Sequence, residues 1–578
     1  MKPLLVLFFL TLCTHLPAQT IELIQMPLED LRAKAAAGDP SAMIQLALRY
    51  YNGIGVIQYE KKGYDWYVKA ADCGSQTALG VCAANGWGRP KDPKLAFASM
   101  EKASATGDLT AIRNLGRFYA DGIGCKVDKA KALELYQKAF VPDDPLSACV
   151  LAKAWFAGYG TKEDVPKGFK LLEQNAERCT FAKVTLADCY QLARGCDKDE
   201  ARAVKLYAEA AKAGNTLAMR LLSWRYLNGS VVKKDLTMAR ALLVSAGELG
   251  DGEALALLGR TYFEIPDGEK DFAKYEALAL KAAENGYPDE LVRLGYRYRD
   301  GKDVEQDLNK ARVLFEEAMK LGDGEGCNCL ALLYDKGLGV EENPVKANDL
   351  FLRAGDMGEG RGYSNLGINC EAGRGIKADP VMAAELYEKA AALNDPYGCL
   401  GLGLCYEYAK GVLLSPVKAA ELYLKAGDLG NGRSYGLLGI MYCQGRGVKQ
   451  DAVKGKAFLV KGAEMGSTSA MDNLGTLLLE GRLLAKDFAE AAHWFEKSAG
   501  EGSPEGQFKL GLCLYNGHGV TKDLKRAVAL FSKAGLCHHP KAVFYLGVCF
   551  QNGYGVEKDT TKADQIFKLA AELSRQNT

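Results

Sequence analysis

The sequence predicts an all-α fold, a right-handed superhelical solenoid of about 15 antiparallel helix pairs with a 36-residue repeat. Three observations predict it: helix-capping residues recur at one interval, glycines recur at the same interval, and the segments between them have apolar residues at helical spacing. The capping residues, one every 36 positions, are Asp235, Asp271, Asp307, Asn343, Asp379, Ser415, Asp451, Asp487, Asp523 and Asp559. Such a sustained period indicates one supersecondary unit copied along the chain.

The first helix of the unit, helix A, carries a small residue at which a neighbouring helix can approach closely. These small positions are Gly259, Gly295, Ala331, Gly367, Gly403, Gly439, Gly475, Gly511 and Gly547. Six residues later, a second series of glycines ends helix A and forms the turn. Its members are Gly229, Gly301, Gly337, Gly373, Gly445, Gly481, Gly517 and Gly553.

The second helix, helix B, begins at the capping residues, twelve residues after each small position. Pro344, Pro380 and Pro416 directly follow three of these caps, where proline suits the first helical turn. Helix B ends at residues that tolerate the left-handed backbone conformation, a series that His538 interrupts. The series consists of Gly214, Gly250, Gly286, Gly322, Gly358, Asn394, Gly430, Gly466 and Gly502.

One helix pair cannot bury its apolar faces alone, so successive copies are expected to stack and to form a concave inner surface. Weaker early copies have their small positions at Ala47, Gly80, Gly116, Ala152, Ala187 and Ser223. The array is predicted to run as one continuous domain over residues 41–574, followed by a short tail at 575–578. Residues 19–40 are predicted to form a capping segment with a short helix from about Leu28 to Ala37.

Four short sequences within the repeat carry a resemblance to a known family. They are Asn365-Leu-Gly367, Gly445-Arg-Gly-Val448, Lys418-Ala419 and Tyr387-Glu-Lys-Ala-Ala391. They resemble the consensus of the Sel-one-like repeat (SLR), a relative of the tetratricopeptide repeat, and the resemblance covers nearly the whole array. It implies an all-helical solenoid that acts as an adaptor for protein complexes, in bacteria often in the envelope or secreted.

The first 18 residues have the pattern of a secretory signal peptide. Met1-Lys2 is a short positive region, Leu4–Leu12 is an apolar core, and Ala18 is a small residue suited to cleavage. Cys13 raises the alternative of a lipoprotein, but Leu12 before it does not fit that cleavage pattern. Neither this core nor any later stretch is long enough to span a bilayer. We therefore expect an exported protein, periplasmic or secreted.

The charge balance and the cysteines restrict the possible functions. With 73 basic and 72 acidic residues the net charge is +1, which argues against a general affinity for nucleic acid. Five cysteines lie two residues after a small position, as expected for buried apolar side chains: Cys82, Cys189, Cys405, Cys513 and Cys549. Cysteine-rich relatives bridge each repeat with two cysteines eight residues apart, and this chain lacks that pattern. Single bridges between Cys73 and Cys82 and between Cys189 and Cys196 remain candidates.

No group of residues in the sequence indicates catalysis, a cofactor or a metal. The Gly-x-Gly sequences follow a helix rather than a strand, so we interpret them as turns and not as phosphate-binding loops. Cys537, His538 and His539 form one local cluster with metal-ligand chemistry, but adjacent residues rarely point at the same metal ion. We therefore expect a protein that is not an enzyme and that holds no cofactor or metal.

Partner binding is expected on helix A. In tetratricopeptide repeats, ligand-facing residues lie three before, one after and four after the small position, and the resemblance transfers this spacing to the present chain. Copies three to eight then present a basic and aromatic stripe with one acid, Asp188, which suits an acidic or carboxylate-bearing partner. The predicted partner-binding residues are Arg113, Arg117, Lys153, Arg220, Trp224, Arg260, Tyr296 and Arg299.

Later copies present different side chains at the same positions. Copies nine to eleven show the acids Asp335, Glu371 and Glu407, and the last two show Phe508, Tyr515 and Phe544. The alternative is that the arginines are merely solvated and that the apolar residues belong to the core.

These observations predict a scaffold or adaptor that binds protein or peptide partners, in the cell envelope or secreted space, through its concave groove. The alternative is recognition or processing of a cell-wall component, peptidoglycan or a β-lactam, as in the cysteine-rich relatives. Processing would require a serine or metal site in a cleft, and the sequence indicates none.

Overall fold

The structure is a computed structural model that describes residues 18–52, 54, 56, 60–89, 91–142, 144–159, 164–265 and 270–576. Across these ranges it contains 32 α-helices and no strand, which confirms the predicted all-α class. The predicted signal peptide, apart from Ala18, lies outside the described residues, as does Cys13.

Two helices precede the repeats, α1 (Ala18–Gln25) and α2 (Leu28–Ala36). Fifteen helix pairs follow, here called copies 1 to 15 in chain order. Their A helices are α3 (Pro40–Asn52), α5 (Gln76–Asn85), α7 (Leu109–Asp121), α9 (Pro145–Phe156), α11 (Thr180–Leu192), α13 (Thr216–Asn228), α15 (Gly252–Phe263), α17 (Asp289–Asp300), α19 (Gly324–Lys336), α21 (Gly360–Ala372), α23 (Pro396–Tyr408), α25 (Gly432–Gln444), α27 (Thr468–Glu480), α29 (Pro504–Asn516) and α31 (Pro540–Asn552).

The B helices alternate with the A helices; the B helix of copy 1, for example, packs against the A helices of copies 1 and 2. The B helices are α4 (Glu60–Asp72), α6 (Pro93–Ser104), α8 (Lys129–Lys138), α10 (Asp164–Asn175), α12 (Glu200–Lys212), α14 (Leu236–Glu248), α16 (Phe272–Glu284), α18 (Leu308–Lys320), α20 (Pro344–Asp356), α22 (Pro380–Ala392), α24 (Pro416–Asp428), α26 (Ala452–Glu464), α28 (Phe488–Gly500), α30 (Leu524–Leu536) and α32 (Thr560–Gln576).

The chain divides into two compact units, Met1–Cys329 and Leu330–Thr578. The described core of the first unit includes Leu31 of α2, Leu46 of copy 1 and Tyr207 of copy 5, all fully buried. In the second unit, Tyr423 and Phe495 are buried in the same way. Each unit is a stack of antiparallel helix pairs with its core between the A and B layers, as the apolar periodicity predicts.

The predicted helix starts are confirmed by hydrogen bonds. All ten predicted capping side chains accept a bond from a backbone N–H in the first turn of helix B; the Asp451 carboxylate, for example, accepts from Lys454 N at 2.9 Å. A second series of caps, not predicted, starts the A helices; Asp144 and Asp251 belong to it. Short polar side chains therefore set the start of helix B and, where the second series is present, the start of helix A.

The predicted helix ends and close approaches are also observed. Gly229 and the other turn glycines have positive φ, and Asn394 and His538 take the same left-handed conformation at the end of helix B. His538 therefore departs from the glycine series without changing the backbone geometry. At the small position of copy 13, a Cβ added to Gly475 would lie 2.6 Å from Cε1 of Phe495 on helix B. The small residue is required because an aromatic ring of the same copy fills that space.

Candidate functional site

The position three before the small residue links one copy to the next. Arg113 Nη1 donates to Asp144 Oδ2 at 3.1 Å, and Arg220 Nε donates to Asp251 Oδ2 at 2.9 Å. Asp144 and Asp251 also cap the A helix of the following copy. The same spacing joins Ser364 to Asp395 by a hydrogen bond, so the link does not depend on charge.

Burial agrees with this structural role. In copies 1 to 14 the residue at this position is buried, except in copy 6, where Arg220 is partly exposed. The following copy covers it because successive A helices pack side by side. Arg113 and Arg220 therefore have a structural function that the sequence analysis did not predict, and their part in partner binding stays a prediction.

Arg260, one residue after the small position of copy 7, is also paired. Its Nε lies 3.6 Å from Oε2 of Glu290, a carboxylate that is 0% exposed and accepts a bond from the Tyr275 hydroxyl at 2.9 Å. Burial raises the pKa of Glu290 above its ordinary value, although Arg260 and Tyr275 act in the opposite direction. The charge of Arg260 is thus committed to a buried internal partner.

The remaining predicted residues of copies 6 and 8 are an exposed tryptophan and two partly exposed side chains, Tyr296 and Arg299. Trp224 is 55% exposed. The Tyr296 hydroxyl donates to Glu325 at 2.8 Å, and the Arg299 guanidinium lies 4.8 Å from the Tyr296 ring centroid while it binds Asp300. Of these three, Trp224 presents the largest unpaired apolar surface.

The acids predicted for the later copies are engaged within the second unit. The Asp335 carboxylate accepts bonds from Asn369 and Arg374. Glu407 accepts a bond from the Tyr423 hydroxyl and pairs with Arg446 at 2.8 Å. Both carboxylates are therefore paired within the protein. The spacing of residues in the sequence did not reveal these partners.

Arg117 and Lys153 differ from the other predicted cations. No hydrogen bond or carboxylate within 4 Å is found for either of them among the described residues, and Nε of Arg117 is buried without a partner. Lys153 Nζ lies 4.1 Å from the centroid of the Phe181 ring. The Lys153 side chain reaches solvent, yet the surrounding protein desolvates its ammonium and lowers its pKa, while Asp188 acts to raise it.

Both cations line one cavity of about 420 Å³ in the first unit. We call it the cationic cavity. Its walls come from the A helices of copies 1 to 5, which carry Phe181, Arg117 and Lys153, from two B helices, which carry Tyr67 and Tyr136, and from the turn that contains Trp87. Trp87 also packs against Tyr51 and Tyr64, with ring centroids 5.6 Å apart in each case.

A contact between distant copies closes the wall of the cationic cavity. The Thr180 hydroxyl at the start of copy 5 donates to the backbone oxygen of Asn52 in copy 1 at 3.0 Å. The two residues are 128 positions apart in the sequence. The A helices of copies 1 to 5 therefore enclose part of the cavity and do not form one open stripe.

The aromatic side chains of the cavity were missed by the sequence analysis. Trp87 had a recognisable signal, because it places a large ring between two turn glycines, Gly86 and Gly88. Tyr67 and Tyr136 lie on B helices, outside the helix A positions from which partner binding was predicted. Only the packing of the five copies brings them beside Arg117 and Lys153.

The structure also bears on metal, membrane and disulfide chemistry. Among the described residues, no group of three or more His, Cys, Asp and Glu side chains could hold a metal ion. His539 caps α31 and hydrogen-bonds to Glu505 at 2.9 Å. The helices in the described ranges include none with the length and hydropathy of a bilayer span. The described cysteines, Cys73, Cys82, Cys189 and Cys196 among them, carry free thiols.

Comparison with known proteins identifies the repeat. The sequence model of the Sel1 repeat matches fourteen segments of the chain. They are residues 40–75, 74–108, 109–140, 145–178, 184–215, 216–251, 291–323, 325–359, 361–395, 396–431, 433–467, 468–503, 504–539 and 540–574. The helix pair of copy 7, between the matches that end at 251 and begin at 291, completes the set of fifteen.

Two solved structures illustrate the similarity. A protective antigen of uropathogenic Escherichia coli displaying an SLR fold is 23% identical, with 96% of this chain and 94% of that chain covered and a TM-score of 0.35. A Sel1 repeat protein from Oxalobacter formigenes is 26% identical, with 56% of this chain and 92% of that chain covered and a TM-score of 0.41.

Proposed function

Because the chain belongs to the Sel1 repeat family, we propose that it is a non-enzymatic scaffold that binds protein or peptide partners through the groove lined by its A helices. We place this activity in the cell envelope or secreted space. Proteins with Sel1 and tetratricopeptide-like repeats generally serve as protein-interaction scaffolds. The predicted signal peptide supports the location.

The observation that carries the proposal is the pair of cations in the cationic cavity. The Lys153 ammonium is partly desolvated beside the Phe181 ring, Nε of Arg117 is buried without a hydrogen-bond partner, and neither side chain forms an ion pair within the described structure. An unpaired charge in such surroundings is costly, and a bound anion would relieve that cost. Arg113, Arg220 and Arg260 each pair with a carboxylate of the next copy. Arg117 and Lys153 remain available to a partner.

Exposed apolar side chains one residue after the small position give further support. Trp224 in copy 6 and Ile368 in copy 10 are 55% and 51% exposed. Large apolar side chains of this kind, presented on a groove, are common anchors in protein interfaces.

Site-specific photocrosslinking in an envelope extract of the source organism tests the proposal. A photoreactive amino acid at Trp224 should form covalent adducts with a small set of proteins. The matched control is the same amino acid at Val453, an exposed apolar position at the start of helix B in copy 12. Equal adduct patterns at the two positions would contradict binding through the A helices.

Recognition or processing of a cell-wall component remains the second candidate, because the same two cations suit a carboxylate-bearing peptidoglycan peptide. Processing would also require a nucleophile with a base, or a metal ion. Steady-state assays of the purified protein on β-lactams and peptidoglycan fragments separate the candidates, since reproducible turnover would overturn the scaffold proposal.

A further inference from the structure

Two of the cations that line the cationic cavity have no ion pair among the described residues. Arg113, Arg117, Lys153 and Asp121 line it, but the Arg113 charge is already compensated by Asp144. Asp121 is exposed at the surface, and Asp188 acts to raise the pKa of Lys153 without forming an ion pair with it. Arg117 and Lys153 therefore have no direct anionic partner among the described residues, and a carboxylate is the simplest complement to such an arginine and lysine.

The remaining wall is apolar and aromatic. Phe181 lies under the Lys153 ammonium, and Trp87 with Tyr67 forms a ring cluster whose centroids are 5.8 Å apart. Aromatic faces compensate a cation only in part, whereas they bury an apolar side chain well. A ligand that fits must therefore carry its negative charge directly beside an apolar or aromatic group.

The size and closure of the cavity favour a chain end. Its volume of 420 Å³ lies at the low end of the range for small-ligand pockets, and the contact between Thr180 and Asn52 closes part of its wall. A continuous polypeptide would have to enter and leave this space. The last residues of a peptide need only one opening, and they place a carboxylate next to a side chain.

We infer that the cationic cavity binds the C-terminal carboxylate of a peptide whose last residue is apolar or aromatic. This inference rests on the proposed scaffold function and specifies the ligand of one of its sites. Arg117 and Lys153 donate charge-assisted hydrogen bonds to the carboxylate, and the rings of Trp87, Tyr67 and Phe181 pack against the terminal side chain.

Fluorescence anisotropy with defined peptides tests the inference on the full chain. The probes are fluorescein-labelled pentapeptides, Gly-Ser-Gly-Ser followed by Phe, Tyr or Leu, each with a free C-terminal carboxylate. Matched probes have a C-terminal amide, and a third set has the amide together with an internal Asp. We expect at least one free acid to bind saturably, and about tenfold or more tighter than its amide and than the internal-Asp peptide.

Variants connect the binding to the two cations. R117Q and K153Q should each weaken the free acid by about tenfold or more. The control K138Q removes an exposed lysine on helix B of copy 3 and should bind as the wild type does. Neither Arg117 nor Lys153 joins an ion pair among the described residues, so thermal melting should show all three variants folded.

Several results would overturn the inference. They are the absence of saturable binding by every free acid, equal binding of acid and amide, equal binding of the internal-Asp peptide, and unchanged binding by R117Q and K153Q. The photocrosslinking at Trp224 separates this failure from that of the scaffold proposal. Adducts at Trp224 with no peptide binding would leave the scaffold proposal in place, whereas peptide binding without adducts would remove the Trp224 groove and keep the cavity.

Discussion

Arg113 and Asp144 lie 31 residues apart and form an ion pair with 10% and 9% of their side chains exposed. The Asp144 carboxylate also accepts hydrogen bonds from the backbone of Leu146 and Ser147, so it caps helix A of copy 4 while it holds copy 3. One side chain thus sets a helix boundary and joins two repeats. The Asp144 carboxylate therefore contributes both to local helix structure and to the contact between copies 3 and 4.

Replacing Arg113 with Gln should loosen the contact between copies 3 and 4. The change leaves the buried Asp144 carboxylate without its counterion, and we expect a local loss of about 3 kcal/mol. Hydrogen exchange of the α7 and α9 amides measures it. The matched control is Arg526→Gln, which breaks an exposed ion pair with Glu496 and should cost at most about 1 kcal/mol. Equal costs would contradict a structural role for Arg113.

Replacing Gly475 with Ala should destabilise copy 13. The new Cβ would lie 2.6 Å from Cε1 of Phe495, so the ring has to move, at a cost of about 1–3 kcal/mol. Gly500 is a helical glycine with no neighbour within 4 Å of an added Cβ, and Gly500→Ala should stabilise by about 0.5 kcal/mol. Urea denaturation compares the two variants. A partial recovery in the double variant Gly475→Ala with Phe495→Leu would identify the ring as the cause.

Removing one predicted cap should have a small local effect. Asp451 accepts a bond from Lys454 N, and Asp451→Ala should cost about 1 kcal/mol and leave the fold intact. Asp451→Asn keeps an acceptor at the same place and should cost much less. Hydrogen exchange in the first turn of α26 is the measurement, and equal protection in the two variants would contradict the capping role.

Acid should weaken the contact between copies 14 and 15. The hydrogen bond from His539 lowers the pKa of Glu505 below its ordinary value of 4.5. A carboxyl group with a lowered pKa in the folded state stabilises above the unfolded pKa, and the stabilisation is lost as the pH falls through the folded pKa. Local stability should therefore decrease below about pH 4.5.

Glu505→Gln isolates this contribution. Hydrogen exchange of α29 and α31 between pH 6 and pH 3 should show a shallower decrease in the variant than in the wild type. Glu501→Gln, at an exposed position that ends helix B of copy 13, is the control and should follow the wild type. An identical decrease in Glu505→Gln and the wild type would show that the His539 contact does not carry the effect.

Local chemistry made much of the fold predictable. Capping side chains and turn glycines act within a few residues of themselves, so Asp451 and Gly445 could be assigned from the sequence and are confirmed by a cap bond and a positive φ. The second cap series escaped notice although its residue types were visible, as at Asp144 and Asp251. Asp251 directly follows the stop glycine Gly250, whereas Asp144 follows Asp143.

The candidate site was predictable only in part. Spacing on helix A selected Arg117 and Lys153 together with Arg113 and Arg220, because all four occupy ligand-facing positions in related repeats. Spacing could not separate the cations that pair with the next copy from those that remain unpaired. That difference depends on whether a carboxylate of the next copy lies within reach of the cation. Asp144, 31 residues after Arg113 in the sequence, is such a carboxylate.

The sequence by itself determined the repeat, its helix boundaries and its family, because capping, turn and close-approach positions are set by local backbone chemistry that recurs with each copy. The tertiary structure decided which charges remain free and where they meet. The hydrogen bond between Thr180 and Asn52 joins residues 128 positions apart, and the cavity that holds Arg117 and Lys153 exists only when the copies between them are stacked. Contacts across that separation depend on the summed geometry of several helix pairs, which no single repeat encodes.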